Sequence, residues 1–317
     1  MVVAVVIGTR PEAIKLCPVV QALRTVPPLR PLVISTGQHR QMLDQVFEAF
    51  AITPDIDLGL MRPDQSLSDL MSVAVTELDR QFAATDLAAV LVQGDTTTAL
   101  SAALAAFHRR IPVGHVEAGL RTYDLEAPFP EEANRALIGR IAKWNFAPTD
   151  RAVSALSAEK VPGAIIKTGN TVVDALLQMA ARIDQSPVPL TRSRLVLITG
   201  HRRENFGARF REAFRAIAEL ADRYPDVDFV YPVHLNPNVQ EHAYAILQGR
   251  TNVQLISPVS YPDLIALMKR SWLILTDSGG IQEEAPSFGV PVLVMRDTTE
   301  RPEAVEAGVA QLVGTKR

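Results

Sequence analysis

The sequence predicts an α/β fold built from two parallel-sheet domains. Short, continuously apolar runs alternate with longer helix-like segments from the first residues onward, and a second series of the same kind begins near Gly169. Such alternation argues for βαβ units. Runs that are apolar throughout suit strands covered by helices on both faces.

In the first series, residues 2–7, 32–35, 89–92, 111–116 and 144–147 read as strands, and 10–23, 41–50, 66–82, 96–108 and 130–142 as helices. A helix over 171–183 is expected to open the second half. There, 195–199, 229–233, 253–256, 272–276 and 292–295 read as strands, with helices over 210–224, 239–247, 261–269 and 280–287. The stretch 183–194 contains Ser186, Pro187 and Pro189 and looks like a connector. The expected domains are therefore 1–168 and 169–317. The halves are alike in architecture, not in sequence.

Composition agrees. The 317 residues are 47% hydrophobic and 21% charged, and single cores stop growing near ~250–300 residues. The net charge of −3 gives no basic excess to attract nucleic acid or an anionic membrane surface, so an anionic ligand must be held by locally placed groups. Cys17 is the one cysteine. A lone thiol forms no internal disulfide and no cysteine-based zinc site, and it fits a reducing, cytoplasmic compartment. Residues 1–7 lack a basic leader and a cleavage pattern, so they read as a strand rather than a signal peptide. No apolar stretch approaches the ~20 residues that span a bilayer.

In open parallel sheets, ligands bind beyond the carboxyl ends of the strands. The segments there are Gly8-Thr9-Arg10, Gly94-Asp95-Thr96, Glu117-Ala118-Gly119, Gly200-His201-Arg202, His234-Leu235-Asn236 and Asp277-Ser278-Gly279-Gly280. Each half contributes several, and one cleft between two facing sheets is the economical arrangement.

Ser278-Gly279-Gly280 follows a strand and opens a helix. It reads either as a phosphate cradle of glycine N–H groups or as a tight turn capped by Ser278. Glu284 lies one helical turn past Gly280, where it could accept bonds from ribose hydroxyls or be a surface acid. No G-x-G-x-x-G follows the first strand and no P-loop is present, which removes support for dinucleotide binding and ATP hydrolysis.

Three acids stand out in the first half. Asp95 follows a strand, either as a functional carboxylate or as an N-cap. Glu117 ends an apolar strand, where burying a charge is costly unless it is paired. Glu131 and Glu132 follow Pro128-Phe129-Pro130 at a helix start, as dipole complementation alone would favour, and Arg135 could pair with Glu131 at i,i+4. Arg10 and Lys15 flank the first helix start, and His201, Arg202, Arg203, His234 and Arg301 lie near later loops. Cations gathered at strand ends suit a diphosphate, and His201 could neutralise charge on a leaving phosphate. Metal binding draws no support: there is no H-E-x-x-H and no paired cysteine.

These stretches together resemble the non-hydrolysing UDP-N-acetylglucosamine 2-epimerases. The resemblance rests on Gly8-Thr9-Arg10-Pro11-Glu12-Ala13-Ile14-Lys15, Gly94-Asp95-Thr96-Thr97-Thr98 and His115-Val116-Glu117-Ala118-Gly119-Leu120-Arg121-Thr122. It continues through Pro130-Glu131-Glu132-Ala133-Asn134-Arg135, Gly200-His201-Arg202-Arg203-Glu204-Asn205 and the Asp277–Glu284 motif to Arg296-Asp297-Thr298-Thr299-Glu300-Arg301-Pro302-Glu303, nearly the whole chain in family order.

The resemblance implies a glycosyltransferase-B-like pair of Rossmann-like domains facing a central cleft, usually as a homodimer and without an added cofactor. It implies interconversion of UDP-N-acetylglucosamine and UDP-N-acetylmannosamine by anti elimination of UDP to 2-acetamidoglucal and syn re-addition. On this likeness the catalytic groups are Asp95, Glu117, Glu131 and His201. Arg10, Lys15, Arg135, Ser278, Gly279, Gly280, Glu284 and Arg301 bind substrate. Gln38, His39, Gln41, Gln65 and His234 match positions that bind a second UDP-N-acetylglucosamine as activator. Family members continue with further helices beyond the position of Gly314, whereas this sequence stops at Arg317.

Three alternatives share the frame. A transferase of glycosyltransferase-B type would need an acceptor site and no C2 proton chemistry, a hydrolysing relative would release free N-acetylmannosamine, and an inactive UDP-sugar sensor would bind without turnover.

Overall fold

The computed structural model describes residues 1–317 other than 38, 39, 63, 64, 184, 203, 204, 300, 301 and 317, and other than the side chains of 40–42. The chain divides into two compact units, Met1–Ala175 and Leu176–Arg317.

The first unit runs β1 (Val2–Ile7), α1 (Arg10–Arg24), β2 (Arg30–Ser35), α2 (Arg40–Ala49), β3 (Ile56–Asp57), α3 (Leu67–Ala83), β4 (Leu87–Gln93), α4 (Thr97–His108) and β5 (Val113–Val116). It continues through α5 (Glu131–Ile141), β6 (Trp144–Ala147), α6 (Asp150–Ala158) and β7 (Ala164–Lys167). α7 (Thr171–Ala180) straddles the division between the units. The strands form one sheet in the order β3-β2-β1-β4-β5-β6-β7, with every pairing parallel.

The second unit contains β8 (Arg194–Thr199), α8 (Ala208–Arg223), β9 (Val227–Pro232), α9 (Pro237–Leu247), β10 (Val253–Ile256), α10 (Tyr261–Arg270) and β11 (Leu273–Thr276). After these come α11 (Gly279–Glu284), a 3-10 turn (Ala285–Phe288), β12 (Val292–Val294), α12 (Pro302–Glu306) and β13 (Ala310–Leu312). Its sheet order is β10-β9-β8-β11-β12-β13, again parallel throughout.

Both sheets therefore reverse direction after their first strand, between β1 and β4 in one and between β8 and β11 in the other. A crevice opens at such a reversal because the helices leaving its two strands go to opposite faces. The segments after β1 and β4, and after β8 and β11, are the ones with the densest motifs.

The elements that sequence missed are β3, α6, β7, α12 and β13. β3 has two residues and β13 three, too few for an alternation pattern to register. β7 is exposed along much of its length, so it lacks the apolar run that marks an interior strand. The helix expected over 280–287 is α-helical only to Glu284 and then tightens to 3-10 geometry, because Pro286 cannot continue the α-helical ladder.

The first core joins Ala4, Val6, Val90 and Val92 of the central strands to Leu70, Ala74 and Leu78 of α3 and the alanines of α4. Small α4 side chains let that helix lie close to the sheet. The second core stacks Phe210 on Phe214, with centroids 5.2 Å apart, and sets Phe214 against Tyr231 of β9 at 5.7 Å. Tyr231 is fully buried, and its hydroxyl donates to the Gly200 carbonyl at 2.8 Å, so this core reaches the end of β8. Among the described residues no helix is long and apolar enough to cross a membrane.

Candidate active site

Thr9, Arg10, Pro11 and Glu12 begin α1 as a capping box. The Thr9 side chain accepts from the Glu12 N–H, and the Glu12 carboxylate accepts from the N–H groups of Gly8 and Thr9, both at 2.7 Å. Gly8 is required by packing: a Cβ there would lie 2.7 Å from Thr36 Oγ1 and 2.8 Å from Thr98 Oγ1. Glu12 also accepts from the Thr96 hydroxyl, joining the ends of β1 and β4. Burial raises its pKa, with the Thr96, Gly8 and Thr9 bonds opposing. Arg10 and Lys15 ride on the first turns of this helix.

Asp95 is not the N-cap of α4. Thr96 takes that position and accepts from the Ala99 N–H at 3.0 Å, so the Asp95 carboxyl is left for other partners. Gly94 before it turns at φ +70°, a conformation glycine adopts without strain. The Asp95 carbonyl accepts from Asn134 Nδ2 at 2.8 Å, and its carboxyl pairs with Arg135 at 3.0 Å. Desolvation pushes its pKa up to about 6, against Arg135 and Lys15, with Glu117 and Glu131 adding to the rise. Both acids thus bear on the Asp95 carboxyl, and the three expected carboxylates share one electrostatic field in this unit.

Glu117 adopts φ +62°, a strained conformation for a side chain of its kind. Its carboxylate is ion-paired to Lys15, with the two side chains 7% and 10% exposed. It also accepts from Gln93 and, at 3.4 Å, from Asn170. A buried charge at a strand end is thus paired, as its desolvation cost demands.

Glu131 begins α5 and is half-buried. The expected side-chain pair between Glu131 and Arg135 is replaced. The Arg135 guanidinium reaches Asp95 and, at 3.5 Å, Glu132, and it meets Glu131 at the main-chain carbonyl. Glu132 is buried and accepts from the Thr122 and Tyr123 N–H groups at 3.0 and 2.9 Å. The two adjacent acids therefore divide their work: Glu132 holds a loop, and Glu131 is left beside Asp95.

In the second unit, Asp277 follows β11 and is fully buried. It accepts from the backbone N–H of His201 at 3.1 Å, the N–H of Arg202 at 2.9 Å and Asn205 Nδ2 at 3.1 Å. His201 stacks on His234, with ring centroids 5.6 Å apart and planes 20° apart. The pKa of His201 is lowered, chiefly by desolvation, with Asp277 opposing and His234 and Arg202 adding to the fall. Ser278 holds the N-cap position of α11, but its side chain makes no capping bond. Its hydroxyl and Glu284 Oε1 flank Gly280, at 3.9 and 3.8 Å from where a Cβ would sit. Ser278, Gly280 and Glu284 are therefore neighbours at the start of α11.

Arg301, Gln38, His39 and the side chain of Gln41 lie outside the described residues. Gln65 accepts from the Arg62 N–H at 3.2 Å. The His234 ring accepts from the Asn236 N–H at 3.1 Å besides stacking on His201.

Two sets of polar groups thus stand at the reversal points of two parallel sheets. A family model described as UDP-N-acetylglucosamine 2-epimerase matches residues 21–317. The chain belongs to the UDP-N-acetylglucosamine 2-epimerase family. It is 51% identical over 329 residues to the UDP-N-acetylglucosamine 2-epimerase of Escherichia coli strain K12, covering 100% of this chain and 88% of that one. The crystal structure of UDP-GlcNAc 2-epimerase from Neisseria meningitidis bound to UDP-GlcNAc is 48% identical with a TM-score of 0.89, covering 100% of this chain and 88% of the other. The Methanocaldococcus jannaschii UDP-GlcNAc 2-epimerase in complex with UDP-GlcNAc and UDP is 33% identical with a TM-score of 0.82, covering 100% of this chain and 90% of the other. The fold is that of the glycosyltransferase-B-like epimerases, and the chain is an epimerase.

Sequence reading passed over several residues that shape this epimerase's site. Glu12 carried a legible signal, the T-x-x-E capping box. Gln93, Asn170, Asn134 and Asp277 are partners whose importance lies in what they touch. Only the paired strand ends reveal that.

The raised Asp95 pKa has a consequence for folding. Between the ordinary value of 3.8 and about 6, the folded protein holds a proton that the unfolded chain has released, so stability falls as pH rises through that window. Asp95→Asn removes this cost. Its melting temperature should exceed that of wild type above about pH 7, by on the order of 2 kcal/mol of stability, and match it below about pH 4. Melting curves across pH read this directly, and a neutral-pH destabilisation of the variant would contradict the assignment.

Proposed function

We propose that this epimerase interconverts UDP-N-acetylglucosamine and UDP-N-acetylmannosamine by anti elimination of UDP and syn re-addition. A general base removes the proton from C2, the C1–O bond to UDP breaks, and a C1–C2 double bond forms, giving 2-acetamidoglucal. UDP then returns to C1 while an acid delivers a proton to the opposite face of C2. The observation that carries the reading is the Asp95 carboxyl with its pKa near 6, in the field of Glu117 and Glu131.

The chemistry needs a base on one face of the sugar and an acid on the other, and both work best with pKa values near the operating pH. Asp95 meets that condition and is proposed as one of the two, with Glu131 beside it as the other. Glu117, ion-paired to Lys15 and bonded to Gln93, is suited to face positive charge growing at C1. His201, Ser278, Gly279 and Gly280 are proposed to receive the diphosphate, where N–H dipoles and a cation stabilise the leaving group. Glu284 is proposed for the ribose, and Arg10, Lys15, Arg135 and Arg301 for further contacts with the substrate. The proposal carries with it the domains, homodimer, cytoplasmic setting and second, activating UDP-N-acetylglucosamine that the family likeness implies.

NMR of UDP-N-acetylglucosamine with the protein in D2O tests the reading. The expected result is deuterium at C2 in a mixture of the two UDP-sugars. Unlabelled substrate with a new glycoside would select a transferase, free N-acetylmannosamine a hydrolase, and an unchanged spectrum despite UDP binding a sensor.

A further inference from the structure

We infer that Asp277 is a positioning residue that presents His201 to the diphosphate, an inference that rests on the proposed epimerase reading. Asp277 follows β11 and His201 follows β8, on the two strands that flank the sheet reversal, and their ends are tied by the Asp277 N–H donating to the Thr199 carbonyl at 3.2 Å. The Asp277 side chain is fully buried and takes donors from three residues of the loop that begins with His201. Asn205, itself buried, bridges Asp277 to the Met295 carbonyl at 3.2 Å, so the clamp spans the ends of β11 and β12. His201, Arg202 and Asn205 are thereby held by one carboxylate.

The geometry also couples that carboxylate to the imidazole. His201 Nδ1 lies 3.6 Å from Asp277 Oδ1, and 42% of the histidine side chain remains exposed. The ring is thus accessible on one side and faces a buried negative group on the other. Among the described residues, three groups face it: Asp277 from the end of β11, His234 from the end of β9, and Arg202 from its own loop. Of these, Asp277 alone favours the protonated ring, opposing desolvation, His234 and Arg202. On balance burial lowers the His201 pKa, so Asp277 is the group that holds the ring nearer the cationic form that would neutralise phosphate charge. The next residue, Ser278, donates its N–H to Thr276 Oγ1 at 2.9 Å. One side chain thus braces the histidine loop from the start of the glycine turn.

The test is Asp277→Asn in the full chain. The neutral amide keeps the volume but directs N–H groups at existing N–H donors. We expect kcat/KM for UDP-N-acetylglucosamine to fall about 10- to 100-fold, in line with the loss of bonds to a charged acceptor. With labelled histidine, and with His201→Gln to identify the resonance, NMR should show the His201 imidazole titrating at lower pH than in wild type, without substrate present. In a double-mutant cycle, Asp277→Asn should cost little further activity once His201 is Gln, because the two act as one unit. Unchanged titration with intact folding, or full additivity in the cycle, would overturn the inference. If Asp277→Asn does not fold, Asn205→Ser takes its place: it removes one strut of the same clamp and should lower kcat/KM by about threefold or more, and unaltered activity there overturns the inference equally. A wild-type protein that incorporates no deuterium sinks the epimerase reading, while the substrate-free titration still decides the role of Asp277.

Discussion

Asp95→Asn and, separately, Glu131→Gln should each lower kcat for epimerisation by about 10³-fold or more, the scale of a lost general acid or base, while UDP affinity stays near that of wild type. The separation follows from placement. Both acids belong to the unit Met1–Ala175, whereas the Ser278-Gly279-Gly280 group and His201 belong to Leu176–Arg317. Each substitution alters a side chain of the first unit and leaves the proposed nucleotide contacts of the second unit unchanged in sequence. Titration calorimetry with UDP and single-turnover rates read the two quantities independently. The substitutions also differ in the field they leave behind. Glu131→Gln removes one of the two neighbours that raise the Asp95 pKa, so any residual activity should lose its acid limb at lower pH than in wild type. An Asp95→Asn protein that epimerised at the normal rate would end the role given to that carboxylate.

Lys15→Met should have the second largest effect, on stability and activity together. Its ammonium is ion-paired to Glu117, and the two side chains are 10% and 7% exposed. Removing one member of a buried pair leaves the other charge uncompensated, which costs about 3–5 kcal/mol. For a unit of this size each kcal/mol lowers the melting temperature by roughly 2–4 °C, so a drop of about 6 °C or more is expected. The remaining partners of Glu117, Gln93 and Asn170, keep it hydrogen-bonded but not neutralised. Its carboxylate would then be free to leave the strained φ +62° conformation, and kcat should fall by about 100-fold or more. Calorimetric melting and steady-state rates check both. Wild-type melting with lost activity would show that Lys15 acts on substrate alone and not through Glu117.

Several parts of the site were legible before any coordinates. The capping box at Thr9–Glu12 follows from residue spacing, because a threonine hydroxyl and a glutamate three residues on satisfy each other's backbone donors. The carboxylate at Glu117 was marked by position: a charge closing an apolar strand must find a partner. Asp95 was ambiguous, since Asp and Thr are both good N-caps and both stand before α4. The sequence offered no means of choosing between them, and the structure assigned the cap to Thr96. Arg135 was likewise open, with a pair to Glu131 as one of its readings. The i,i+4 rule considers one helix in isolation, and in the folded unit Asp95, brought from the end of β4, is the better partner for the guanidinium.

Local pattern by itself determined the α/β class, most element positions and the identity of the motif-bearing strand ends, because period, capping and turn chemistry act over a few residues. What only the tertiary structure decided was which of those ends meet. Strand order placed β1 beside β4 and β8 beside β11, and with it came the Lys15–Glu117 pair, the Asp95–Arg135 pair and the Asp277 clamp on the His201 loop. These contacts join residues separated by 102, 40 and 76 positions of chain. Their energies come from desolvated charge, which depends on burial that no short window of sequence contains.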